Sequence, residues 1–242
     1  MIKIITLSIT TCYLVPIGSK YILIDTGYER DKKRFYKQLR KHGVAIKDIS
    51  YIFITHAHDD HVGLLSEIIR NNQECKVILH KNAKQKLASG KNDMTKSSYI
   101  NRRVAAVVGL LGNFSKGGFH PYKVQEKDII ITQEVTSFYE VGIDSPGRII
   151  YTPGHTEDSI SMILDNGICF CGDAAANMLS LLGTKNCIIV MEDLKKYYAT
   201  WEKLLEEKIT QIYPGHGKPF RIEKLRKKVN KNSKDYMRKV KM

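Results

Sequence analysis

Four side chains able to bind a metal ion fall within six residues: His56, His58, Asp60 and His61, in Thr55-His56-Ala57-His58-Asp59-Asp60-His61. The apolar run Tyr51-Ile52-Phe53-Ile54 before them reads as a buried strand, and Val62 to Ile69 after them as a helix. In extended chain His56 and His58, two apart, project to one side, and Asp60 and His61 fall where the chain turns towards the helix. So many titratable groups at one strand end are too costly to bury as mere packing. Imidazole and carboxylate are the ligand types that suit zinc, iron or manganese.

One loop cannot complete two coordination spheres. Three later segments each end an apolar strand beside glycine: Thr152-Pro153-Gly154-His155, Cys171-Gly172-Asp173 and Tyr213-Pro214-Gly215-His216. Small residues let a backbone approach a bound ion closely. Each segment alone is a weak signal. Together, in order after the His cluster, they give a candidate ligand set of His56, His58, Asp60, His61, His155, Asp173 and His216. His42, His80 and His120 lack such settings.

The elements that must position these groups can be read from hydrophobic period. Strands are expected over Ile2–Leu7, Tyr13–Ile17, Tyr21–Asp25, Tyr51–Thr55 and Lys76–Leu79. After Lys127 they are expected over Ile129–Thr132, Val135–Val141, Arg148–Thr152, Ser159–Leu164, Ile168–Cys171 and Gln211–Tyr213. Helices are expected over Asp31–His42, stopped by Gly43, and over Val62–Ile69, Asn82–Leu87 and Leu194–Glu206. This order suits an α/β fold in one domain, 1–242, with two β-sheets face to face and helices outside. Residues 90–122 break the alternation and read as an insertion. Ile100, Val104, Val107, Val108 and Leu111 line one helical face, and a Gly-rich loop, Gly112 to Gly118, follows. A segment of this kind over a rigid scaffold often carries specificity. Its apolar face is also a candidate contact surface for a homodimer.

Hydrophobic residues make up 43% and charged residues 26%, which places the chain among soluble globular proteins. No apolar run approaches the roughly 20 residues that span a bilayer, so no membrane partner is expected. Thr6, Ser8, Thr10 and Thr11 interrupt the N-terminal apolar stretch, which fits a first strand better than a signal peptide. The five cysteines, Cys12, Cys75, Cys169, Cys171 and Cys187, are odd in number and lack a CxxC pair. Buried reduced thiols and a cytoplasmic location are expected. The net charge is +14, and +9 of it lies in a basic tail, 218–242, with 11 Lys and Arg against 2 acidic residues. The body is only mildly basic. Nucleic acid is therefore a partner that the tail admits but the body does not favour.

The pattern His56-x-His58-x-Asp60-His61, followed by His155, Asp173 and His216, resembles that of the metallo-β-lactamase superfamily, over about residues 2 to 220. The resemblance implies an αβ/βα four-layer sandwich with metals at one edge. It implies His56, His58 and His155 on one ion, Asp60, His61 and His216 on a second, and Asp173 between the two. Asp25, in Ile24-Asp25-Thr26-Gly27, matches the motif whose Asp supports the ligand loop. Two zinc ions are expected, with manganese or iron as alternatives. Two ions sharing a water bring its pKa towards neutrality, and Asp60 is the candidate catalytic residue that orients the resulting hydroxide and carries a proton to the leaving group.

Departures from particular branches narrow the expectation towards a glyoxalase II-like or lactonase-like hydrolase. The common β-lactamase branch has Cys where this chain has Asp173. Glyoxalase II carries a C-terminal helical domain, and only 26 residues follow His216 here. Acyl-homoserine lactonases place a Tyr where this chain has Ala176, which leaves Tyr122 or Asn177 as candidate substrate-binding donors. The expected function is dinuclear metal-dependent hydrolysis of a small-molecule ester, thioester or lactone. The alternatives are a phosphodiesterase or RNA-processing nuclease of the same superfamily, and a persulfide dioxygenase with one iron.

Overall fold

Alternation of apolar side chains along the strands builds the layers. The structure, a computed structural model, describes residues 1–92, 97–111, 117–184 and 186–229. Strands β1 (Lys3–Thr6), β2 (Thr11–Ile17) and β3 (Lys20–Ile24) form an antiparallel meander. Strands β4 (Ile49–Phe53) and β5 (Lys76–His80) follow in parallel; β6 (Ser98–Tyr99) stands apart, and β7 (Ile129–Ile131) completes a sheet in the order β1-β2-β3-β4-β5-β7. The second half supplies β8 (Val135–Ser137), β9 (Gly147–Tyr151), β10 (Ile160–Leu164), β11 (Ile168–Gly172), β12 (Val190–Met191), β13 (Gln211–Pro214) and β14 (Phe220–Arg221). Its sheet runs β14-β13-β11-β10-β9-β8, and β12 pairs with β6.

On β2, Tyr13 and Val15 join Phe53, Ile149, Met162 and Phe170 between the two sheets, whereas Cys12 and Leu14 face the other way. That outer face is covered by α1 (Lys32–Lys41), α3 (Leu65–Asn71) and α4 (Ala83–Ser89), through Phe35, Leu65 and Leu87. The second sheet packs its outer face on α6 (Leu194–Glu206), through Tyr197, Trp201 and Leu204. The result is the αβ/βα sandwich. Two further helices, α2 (Asp59–Val62) and α5 (Arg102–Leu111), lie at the end where the candidate ligands gather. Among the described residues no helix is long and apolar enough to cross a membrane.

Two expected elements differ. The run Val135–Val141 is a strand only to Ser137; Tyr139–Val141 forms a 3-10 turn, because Phe138 turns into the core and Gly142 takes a left-handed conformation, φ 74°. The insertion contains α5 and β6, and the partner of β6 is β12, ninety residues on. Residues 93–96 and 112–116 of the insertion, and residues 230–242 of the basic tail, lie outside the described residues. All five cysteines are buried, and none forms a disulfide.

The two sheets are tied to each other at the ligand end. Thr11 N donates to Gly215 O at 2.7 Å, Tyr13 Oη donates to Pro214 O at 2.7 Å, and Ile160 N donates to Thr55 O at 2.9 Å. Gly172, at φ 49°, ends β11 against Thr55; a Cβ there would lie 2.5 Å from Thr55 Cβ. Gly172→Ala should therefore destabilise the metal-free protein by about 3 kcal/mol, from overpacking together with a left-handed Cβ. Urea unfolding measures this; a loss below about 0.5 kcal/mol would mean the Thr55 contact yields freely.

Candidate metal centre

The seven candidate ligands come from four segments, each leaving the same end of a strand, and all seven are buried. His56 and His58 follow β4, and Asp60 and His61 open the short α2. His155 follows β9, Asp173 follows β11, and His216 follows β13. Three sets of donor atoms converge: His56, His58 and His155; Asp60, His61 and His216; and His56, His61 and Asp173.

In the first set, His155 Nε2 lies 3.1 Å from His56 Nε2 and 3.0 Å from His58 Nδ1, and His56 Nε2 lies 3.1 Å from His58 Nδ1. The outer partners decide the tautomers. His155 Nδ1 donates to Val190 O at 2.8 Å. Thr55 Oγ1 donates to Asp25 Oδ2 at 2.8 Å, so it accepts from His56 Nδ1 at 3.1 Å. The Nε2 atoms of His56 and His155 are then both bare lone pairs, facing each other at hydrogen-bond distance with no proton between them. A cation at their focus removes that conflict, and an outer partner on each imidazole is the usual support of a metal ligand. Burial, and then the neighbouring imidazoles, hold His56 well below the usual histidine range; burial and His155 hold His58 at about 3. Both are neutral and ready to donate a lone pair.

The second set is mixed. His216 Nε2 lies 3.1 Å from Asp60 Oδ2 and 3.4 Å from Asp173 Oδ2. His61 Nε2 lies 3.5 Å from both Asp60 Oδ2 and Asp173 Oδ1. Asp173 Oδ2 also stands 3.4 Å from His155 Nε2, so this one carboxylate faces both sets. His61 Nε2 and Asp173 Oδ1 are buried without a hydrogen-bond partner, a combination that a bound cation would satisfy. The residues present therefore fit a pair of metal ions. Burial opposes a proton on His61, but Asp60, Asp25 and Asp173 outweigh it and push His61 up to about 9; burial likewise opposes a proton on His216, and Asp173 and Asp60 raise it well above the usual range.

Supporting contacts converge on the ligand loops. Asp25, itself left-handed at φ 55°, accepts from Thr55 N at 2.9 Å and holds His61 Nδ1 at 2.7 Å. His216 Nδ1 donates to Ile9 O at 3.0 Å, and Thr10 Oγ1 donates to Asp60 Oδ2 at 3.2 Å. Asp158 is fully buried: its Oδ2 accepts from Ala57 N, between His56 and His58, at 2.7 Å, and its Oδ1 takes Lys86 Nζ at 2.6 Å. Sequence reasoning missed Asp158 and Lys86. The only trace was that Asp158 follows three residues after His155 in a polar turn; Lys86 sits on a helix with no motif.

The two candidate substrate donors are placed elsewhere. Tyr122 is buried in the core outside the first sheet, and its hydroxyl donates to Asp128 Oδ2 at 2.7 Å. Asn177 braces the His216 loop, through its N to His216 O and its side chain to Lys218 O, and lies outside the cavity lining. Two phenols line the cavity: Tyr99, which is exposed, and Tyr28, which stands near enough to Asp60, Asp59 and Asp173 to feel their charge; Asp59 and Asn92 line it as well. On α5, Val104 and Val108 are buried, and with Val107 they wall the same cavity. His120 is exposed and pairs with Glu29, while His80 stacks on Tyr151.

Over residues 5–216 the sequence matches the profile described as the metallo-beta-lactamase superfamily. The chain belongs to that superfamily, and its His and Asp clusters make it a metallo-hydrolase-type, metal-binding member. It is similar to a beta-lactamase-like protein 2 homolog of Drosophila melanogaster, 29% identical over 219 residues, which are 88% of this chain and 60% of that protein. It thus spans about 60% of the fly protein's length. A probable metallo-hydrolase of Methanocaldococcus jannaschii is 30% identical over 210 residues, 85% of this chain and 86% of that one. The solved archaeal metallo-beta-lactamase superfamily protein from Sulfolobus tokodaii shares the fold, with a TM-score of 0.65 at 23% identity over 95% of this chain and 84% of that chain.

Two predictions follow from these charges. A proton on His61 competes with a metal ion, so zinc affinity should rise with pH up to about 9, with protons released on loading at pH 7. Calorimetry in two buffers of different ionisation enthalpy reads the release; equal heats would contradict it. Removing the Asp158 carboxylate leaves Lys86 with only its longer contact to Glu192, 3.4 Å, and Ala57 N without its acceptor, so Asp158→Ala should cost about 3 kcal/mol at pH 7. Burial opposes the Asp158 charge, but Lys86 outweighs it and holds the carboxyl below its usual range. The stabilisation is present above the unfolded carboxyl's pKa, near 3.8, and is lost as pH falls through the lower folded value. The stability gap between wild type and variant should accordingly close only below about pH 4.

Proposed function

We propose that this chain is a two-metal hydrolase acting on a small, uncharged ester, thioester or lactone. His56, His58 and His155 hold one ion and Asp60, His61 and His216 the other, with Asp173 shared; zinc is the metal we assign. When bound, such ions supply Lewis acidity and a water acidic enough to attack at neutral pH. Asp60 orients the attacking water and carries its proton to the leaving group. Tyr28 donates its hydroxyl to the substrate's carbonyl or leaving oxygen, in place of Tyr122 and Asn177, which are not among the lining residues and whose side chains are engaged by Asp128 and Lys218. Asp25, Thr55 and Asp158 keep the ligand loop in register.

One observation carries the choice of substrate class. The cavity over the donors is about 280 Å³, and its walls are apolar: Val104, Val107 and Val108 on one side, Met178, Leu182 and Ile189 on the other. No Lys or Arg stands among the described lining residues. A phosphodiester backbone would find no cationic side chain among these described lining residues, whose apolar walls favour a neutral acyl compound over the nuclease reading. A neutral acyl compound needs none.

A screen of aryl esters, thioesters, lactones and bis(nitrophenyl) phosphate on zinc-loaded protein tests the reading. Hydrolysis of the acyl compounds is expected, with two zinc per colourless chain. One iron per chain, or phosphodiester turnover alone, would overturn it. Asp173→Ala should lose metal and activity together. Tyr28→Phe should keep its metal and lose about tenfold in kcat/KM, one hydrogen bond to developing charge; an unchanged kcat/KM would remove Tyr28 from the reaction.

A further inference from the structure

The cavity over the donor cluster has two unlike sides. Tyr28, Asp59 and Asn92 make one side polar. The valines of α5, facing Ile188 and Ile189, make the other a trough. The apolar surface does not stop at the mouth. Of the eight large apolar side chains that stand exposed among the described residues, Ile9, Tyr99 and Leu179 border this cavity, and Leu181 shares a turn with Leu179. Leu181 is 96% exposed. Singly scattered exposed apolar residues need no explanation, but three lining one cavity, with a fourth in the turn beside them, do. Leu179 is also left-handed, at φ 49°, a conformation that an L-leucine adopts at a cost and that tends to mark functional rims.

The size of the cavity bears on what fills the trough. At roughly 30 Å³ per water-sized group, about 280 Å³ holds a chain of about nine heavy atoms. A longer chain would emerge over the apolar rim. On the polar side, Asp59 and the absence of cations among the described lining residues leave nothing to hold a phosphate-bearing leaving group.

Resting on the hydrolase reading, we propose that the substrate is an ester or thioester of a straight-chain fatty acid of about eight carbons or more, with an uncharged leaving group. Its carbonyl sits at the donor cluster, its chain runs along α5, and the chain end crosses the rim of Ile9, Tyr99, Leu179 and Leu181. Hydrolysis breaks the acyl C–O or C–S bond. Water supplies the hydroxyl of the released fatty acid and the proton of the released alcohol or thiol.

The test uses zinc-loaded protein and straight-chain acyl thioesters of N-acetylcysteamine, from acetyl to dodecanoyl. We expect kcat/KM to rise about threefold per methylene, levelling off once the chain reaches the rim. Octanoyl-coenzyme A should be turned over at least about tenfold less efficiently than octanoyl-N-acetylcysteamine, because its phosphates find no partner. Leu181→Ser should lower the ratio of decanoyl to acetyl kcat/KM about threefold. Calorimetric binding of 2-alkanones, which cannot be hydrolysed, gives an independent readout: Kd should fall about threefold per methylene over the same range. Hydrolysis and ketone binding that are indifferent to chain length overturn this proposal and leave the hydrolase reading standing. Ketone binding that tightens with chain length, in a protein that hydrolyses no thioester or ester, overturns the hydrolase reading and the assigned substrate with it.

Discussion

The lone pairs of His56 Nε2 and His155 Nε2 face each other at 3.1 Å in a buried site, and much of the molecule is arranged to hold them there. Left alone, the two acceptors repel. The fold keeps them in place by engaging the far side of each ring: Thr55 on His56, the Val190 carbonyl on His155. His61 and His216 are gripped in the same way by Asp25 and the Ile9 carbonyl. With the outer nitrogens occupied, the inner ones can only converge. A site of this kind is strained as bare protein and relieved by cations, which is the energetic basis of metal affinity.

Holding seven donors from four segments to such tolerance requires both sheets. Thr55 is the node. Its hydroxyl touches Asp25 and His56, its backbone N–H donates to Asp25, its carbonyl accepts from Ile160 in the other sheet, and its side chain fills the space that Gly172 leaves open. Asp158 does a second task of the same kind. Coming from the loop that carries His155, it accepts the amide of Ala57, and so fixes the spacing between the loops of His56 and His155. Lys86 compensates its buried charge. A register error between the sheets would separate these contacts all at once.

Above the polar floor the environment reverses. Insertion helix α5 and the 178–190 loop place aliphatic side chains within reach of the same donors. The two are linked by the short β6/β12 pair, Val190 opposite Tyr99, and the same Val190 accepts from His155. Metal ligand and cavity wall are therefore mechanically continuous. Among the described residues, charge is concentrated at the floor, and the side chains that α5 and the residues before β12 bring to the cavity are apolar.

The sequence by itself determined the candidate ligands and the layers. His56, His58, Asp60 and His61 lie so close in sequence that local geometry brings them together, and the triplets around His155, Asp173 and His216 could be read because each ends an apolar strand beside glycine. The period-two pattern likewise specified which faces of the strands are buried, except at Val135–Val141, where Phe138 and Gly142 bend the chain. What only the tertiary structure decided depends on contacts between residues far apart in the chain. Asp158 meets Ala57 across 101 residues and Lys86 across 72, with no motif to announce either pairing. Tyr28, rather than Tyr122 or Asn177, faces the cavity because the turn after Asp25 is pulled against α2, where Thr26 N donates to His61 O at 2.7 Å. The apolar face of α5 was legible as a stripe, but a stripe does not say what it meets. Only the fold, in which β6 pairs with β12, shows Val104, Val107 and Val108 of that stripe walling the cavity over the candidate ligands.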